Sequence, residues 1–173
     1  MAPSLLTFPN PVNDVAARAV ASGVVVMSSL ALATHAMWIT IPLAYGFVAR
    51  LASGPRFSPL GRTATMLIAP RLERYTKLVP GPPKRFAQGI GAIFTVSALI
   101  LWLVGDITAS RILLAVLIVP SLLEAALGFC VGCKMFAFLM RYGIISEEIC
   151  EECSDIFSEK ARARRAAHAS RDA

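Results

Sequence analysis

The sequence predicts an all-α, polytopic membrane protein: four transmembrane helices followed by a short amphipathic cytosolic helix at the C-terminal end. Three observations predict it. Of 173 residues, 56% are apolar and 16% are charged, whereas a soluble domain carries roughly a quarter of charged residues. Four apolar stretches reach or approach the ~20 residues that a spanning helix needs. Lysine and arginine gather in the gaps between those stretches, which is the membrane pattern. The same distribution excludes a nucleic-acid-binding module, which requires a basic, aromatic-bearing soluble face. The length suits one domain, residues 8–158, with a basic, disordered tail over 159–173.

The first segment runs from Val15 to Thr34, with Asn13 and Asp14 as capping residues and Arg18 as its one charge. Ala31-Leu32-Ala33 resembles a signal-peptidase site, but the long preceding region with a single positive charge favours a retained helix. The second segment, Met37 to Leu51, is short for a span and contains Pro42. The third, Phe86 to Val104, carries Gly89 and Gly91 near its start and ends at Gly105-Asp106. The fourth stays apolar from Ile112 to Met140, with Pro120 and Gly128 as kink positions. Trp38 and Trp102 fall near the outer ends of their spans, as belt aromatics do.

Orientation follows from the basic residues. The link between the second and third segments holds Arg50, Arg56, Arg62, Arg71, Arg74, Lys77, Lys84 and Arg85 against a single acid, Glu73. The turn at Thr34-His35-Ala36 holds no Lys or Arg, and the one near Asp106 holds Arg111. The positive-inside rule therefore places the link and both termini in the cytoplasm. Within the link, Thr63 to Tyr75 mixes apolar and basic residues and suits the membrane surface. Val79-Pro80-Gly81-Pro82-Pro83 is expected to form a stiff, extended approach to the third helix. After the fourth segment, Ser146 followed by Glu147 and Glu148 opens the amphipathic helix, whose stripe includes Ile149, Cys153, Ile156 and Lys160.

The four cysteines form two pairs, Cys130-x-x-Cys133 and Cys150-x-x-Cys153, separated by sixteen residues. Counting down the fourth helix at ~1.5 Å per residue puts the first pair at the cytosolic rim. A permanent disulfide is disfavoured there. One reading is thiol chemistry, with Cys130 and Cys133 reactive, Cys150 and Cys153 as redox partners, and a helix start at Gly128 or Gly132 lowering a cysteine's pKa. The spacing also matches a four-thiolate zinc or iron site built from Cys130, Cys133, Cys150 and Cys153. The bland alternative treats the cysteines as small hydrophobes.

Charged residues inside spans are functional candidates by default. Arg18, Gln88 and Glu124 are placed at the same end as the first cysteine pair. Glu124 then serves as a catalytic carboxylate that accepts protons from the pair, or it forms a structural ion pair with Arg18. A path lined by Arg18, Gln88 and Glu124 would instead describe a small transporter subunit, which would need to oligomerise. His35 and His168 have no metal partner close in sequence. No phosphate loop, His-Glu-x-x-His helix or serine nucleophile elbow occurs.

Four stretches together resemble a bacterial membrane-protein family, common in actinobacteria, known as a domain of unknown function. They are Phe8-Pro9-Asn10-Pro11-Val12-Asn13, Pro55-Arg56-Phe57-Ser58-Pro59-Leu60-Gly61, Val79 to Gly89, and Gly128-Phe129-Cys130-Val131-Gly132-Cys133-Lys134. The resemblance covers Phe8 to Asp155. It implies four spans and, through the thioredoxin-like or sulfurtransferase neighbours of such proteins, thiol or sulfur handling with a soluble partner; it supplies no catalytic residues. Gly128-Phe129-Cys130 is also similar to the cysteine-bearing membrane segment of small rhodanese-linked proteins. Their Cys-Pro step is missing here, since Val131 follows Cys130.

Overall fold

The computed structural model describes residues 10–72, 74 and 77–142. The chain divides into two units, residues 1–135 and 136–173. The second is described only from Phe136 to Tyr142, where the Phe138 and Tyr142 rings lie 4.5 Å apart. The C-terminal amphipathic helix, the tail, and Cys150 and Cys153 lie outside the described residues.

Four helices form the first unit's frame: α1 (Asp14–Thr34), α2 (Thr40–Ser53), α5 (Gly81–Leu103) and α6 (Ile107–Leu127). Between α2 and α5 the chain makes a 3₁₀ turn (Gly54–Arg56), the short α3 (Pro59–Thr63), a π-helical turn (Ala64–Ile68) and α4 (Ala69–Arg71). The last helix, α7 (Val131–Arg141), follows α6 after three residues.

Local chemistry sets the boundaries. Asn13 caps α1 as expected, its side-chain oxygen accepting from the Val15 and Ala16 N–H groups at 2.9 and 3.3 Å. His35 closes α1 at φ 56°. Ser58 caps α3 by accepting from the Gly61 N–H, and Asp106 caps α6 by accepting from the Ala109 N–H. The third span begins at Gly81, five residues earlier than expected. Pro82 and Pro83 lie in its first turn, where missing N–H groups cost nothing. The extended approach is therefore confined to β2 (Leu78–Val79) and Pro80. The fourth segment is also corrected. Its continuous helix to Met140 is cut at Gly128, which adopts φ 68° and ends α6. Pro120 stays within α6.

Among the described residues three helices, α1, α5 and α6, are long and apolar enough to cross a membrane. At 14 residues, α2 extends only ~21 Å, short of a ~30 Å hydrocarbon core. The interior combines large apolar side chains, among them Val24, Leu43, Phe47, Leu114 and Leu117, with small residues: Ser28, Ala31, Thr95, Ala98 and Ser110 are all fully buried, which lets helices approach closely. The Ser110 hydroxyl donates across to the Ala98 carbonyl at 2.7 Å. Other large apolar side chains point outward, including Val26, Ile93, Ile100, Ile112 and Val119. An apolar exterior of this kind suits lipid, because soluble surfaces rarely leave large apolar patches bare.

The N-terminal segment sets the register of one end. β1 (Val12–Asn13) pairs antiparallel with β2, Val12 opposite Val79 and Asn13 opposite Leu78. The Asn10 side chain accepts from the Gly81 N–H, and the Asp14 N–H donates to Lys77 O. The first turns of α1 and α5 are thereby held side by side. The link folds against α1 through Ala64 and Ala69, which pack with Ala16 and Val20. Met66, Leu67, Ile68 and Leu72 stay exposed, consistent with the surface-seeking character read from the sequence.

Candidate functional site

Cys130 occupies the N-cap position of α7: it directly precedes Val131, and its carbonyl accepts from the Lys134 N–H at 3.2 Å. Its sulfur takes the role a serine or aspartate oxygen usually plays, accepting from the Cys133 N–H at 3.4 Å. The helix start expected at Gly128 or Gly132 thus falls between them. Gly128 creates it by ending α6 in the left-handed region, its N–H returning to Glu124 O at 3.0 Å and that of Phe129 to Leu123 O at 3.2 Å. Gly132 lets α7 approach α5 closely; a Cβ there would lie 2.6 Å from Ala87 Cβ and 2.7 Å from Ala87 Cα.

The two thiols are thereby made unequal. Cys130 is held below its ordinary pKa, chiefly by the hydrogen bond from the Cys133 thiol; burial and the Glu124 carboxylate oppose this, and the Lys84 cation assists. Cys133 is pushed well above its ordinary value because it donates to Cys130 and is itself desolvated. Both are free thiols; Cys130 is buried and Cys133 partly exposed.

Beside the pair lies an ionic cluster that sequence reasoning missed. Lys84, 5% exposed, bonds Glu124 Oε1 at 2.6 Å and Asp14 Oδ1 at 3.4 Å. It joins the N-terminal ends of α1 and α5 to the C-terminal end of α6. The expected Arg18–Glu124 pair is not formed. Arg18 instead donates to the last carbonyls of α6, Nε to Ala125 O at 3.3 Å and Nη2 to Ala126 O at 2.8 Å. A cation is favoured at that negative helix end, and those carbonyls have no helical partner. Gln88 is equally engaged, its side-chain oxygen accepting from Arg50 Nε at 2.9 Å. At the opposite end of α6, Arg111 meets His35 at 3.1 Å.

A cavity of about 300 Å³ runs from Cys130 into the helices. Cys130, Gly132, Gln88 and Glu124 line one part and Val24, Phe94 and Leu117 another. The structure therefore brings Cys130, Cys133, Glu124 and Gln88 to one end of the unit and seats Arg18 on the same end of α6. Among the described residues no group of three or more His, Cys, Asp or Glu could hold a metal. The four-thiolate alternative depends on Cys150 and Cys153, which are not described. Sequence spacing gave no signal for Lys84: it was one of many cations in the link, and its partners lie 40 and 70 positions away.

The fold and site together define a helical membrane protein carrying an N-capped Cys-x-x-Cys motif beside a buried three-helix ion cluster. The chain belongs to the family described as a domain of unknown function (DUF4395), which matches residues 12–141. No curated protein and no solved structure matches it.

Proposed function

We propose that this protein carries out thiol–disulfide or persulfide exchange with a soluble, thioredoxin-like or sulfurtransferase partner at the cytoplasmic face of a bacterial inner membrane. The inequality of the two thiols carries this reading. Cys130 has the lower pKa of the two, so in the oxidised pair it is the better leaving group; Cys133, more accessible and with the raised pKa, is the sulfur a partner reaches. A partner thiolate attacks Cys133, the Cys130–Cys133 bond breaks, and the electron pair leaves on Cys130. A second partner thiol then attacks the partner's own sulfur in the mixed disulfide and releases Cys133. Cys150 and Cys153 would extend the relay.

Topology supports the placement. The starts of α1 and α5 meet through Asp14 and Lys84, so the chain between them must go out and return. We read α2 as the return helix within that stretch, a fourth crossing made by 14 residues. The arginines and lysines of the link, Arg56, Arg62, Arg71, Arg74, Lys77 and Arg85, are exposed, as the cytoplasmic side requires.

The test is the pH dependence of alkylation in purified, reduced protein, read site by site by mass spectrometry. A lowered pKa keeps the thiolate at more acidic pH, so the Cys130 profile should lie acid of free cysteine and that of Cys133 alkaline of it. Coincident profiles, or the reverse order, would end the proposal. Impermeant maleimide should label Cys133 in inside-out vesicles and not in intact cells.

A further inference from the structure

A second cavity, about 240 Å³, lies between the N-terminal segment, α1, the link and α5, and it has a charge character of its own. Its lining includes Arg50, Lys84, Gln88, Thr65 and Asn13, and no aspartate or glutamate. Arg50 is 5% exposed. Its Nε donates to Gln88 and its Nη1 to Ser58 Oγ at 2.9 Å, and the guanidinium lies 4.5 Å from the Phe47 ring centroid. All three partners are neutral. Both ion pairs among the described residues belong to Lys84; the Glu124 carboxylate acts on Arg50 through space without touching it, and the Arg50 Nη2 has no hydrogen-bond partner.

A buried cation is costly unless it is paired, and a buried donor left unused adds to that cost. We propose that this cavity is a binding site for a small tetrahedral oxyanion, of phosphate or sulfate type, held by Arg50. The Nη2 group, enclosed in the free protein, supplies a charge-assisted hydrogen bond once the side chain turns toward the anion. The Gln88 oxygen is taken by Arg50, which leaves its amide N–H groups as donors. The Lys84 ammonium has a third N–H beyond its two carboxylate contacts. Donors from several lining residues suit an anion with several oxygens better than a single-centre halide. The volume exceeds the ~30 Å³ share of a water molecule severalfold, so the anion fits with some hydration. An oxyanion free in solution and the phosphate of a lipid headgroup share this recognition chemistry.

The experiment is thermal unfolding of the purified full-length protein at constant ionic strength, with inorganic phosphate or sulfate replacing chloride. A binder of the folded state raises the midpoint saturably. A saturable rise that is absent in Arg50→Gln is the result expected for a free anion. For a headgroup, the rise appears instead on moving from phosphatidylcholine to phosphatidylglycerol nanodiscs and again depends on Arg50. Should Arg50→Gln not fold, Thr65→Met, which fills the cavity and leaves Arg50 in place, is expected to abolish the response. Equal stabilisation by chloride, a response that survives the variants that fold, or no response in any arm would overturn the proposal.

Discussion

Replacing Lys84 by Met tests the ion cluster most directly. The ammonium is almost wholly buried and bridges two carboxylates at 2.6 and 3.4 Å. Removing it leaves Asp14 and Glu124 facing one another without a counter-charge at a junction of three helices. Breaking a buried pair costs about 3–5 kcal/mol. The two carboxyl side chains retain 17% and 16% exposure, so water relieves part of the strain and the lower end, about 3 kcal/mol, is expected. That is about a hundredfold in the folding equilibrium. Reversible unfolding in mixed micelles measures it. A triple variant, Lys84→Met with Asp14→Asn and Glu124→Gln, removes the stranded charges and should recover most of the loss. A loss below ~1 kcal/mol for the single variant, or no recovery in the triple, would refute the reasoning.

Further outcomes follow from the same geometry. Because the Glu124 carboxylate disfavours the Cys130 thiolate, Glu124→Gln should move the Cys130 alkylation profile to more acidic pH; an alkaline shift would restore Glu124 as a proton acceptor. Gly128→Ala forces a side chain into a left-handed backbone at φ 68° and should cost ~1–2 kcal/mol, measured by the same unfolding assay. Gly132→Ala places a Cβ against the Ala87 backbone; a loss of ~1–3 kcal/mol is expected, with weaker differentiation of the two thiols in the alkylation profiles.

What the sequence determined by itself is what depends on local order. Apolar run lengths give the membrane class, because hydropathy averages along the chain. The Asn13 cap and the paired cysteines are equally local, as their partners lie two or three residues away. Gly128 was visible as a break, but whether it kinks or ends a helix depends on its φ. The tertiary structure decided the rest. Two of the link-region basic residues, Arg50 and Lys84, are buried while the others described stay exposed, and composition treats all of them alike. Arg18 and Glu124 are opposite charges at one end of the bundle, so sequence reasoning pairs them. In the folded unit the β1–β2 pairing holds the first turn of α5 beside α1, Lys84 reaches Glu124, and Arg18 satisfies the unpaired carbonyls that end α6. Such choices are made by three-dimensional proximity between residues up to 108 positions apart, and no periodicity in the chain encodes them.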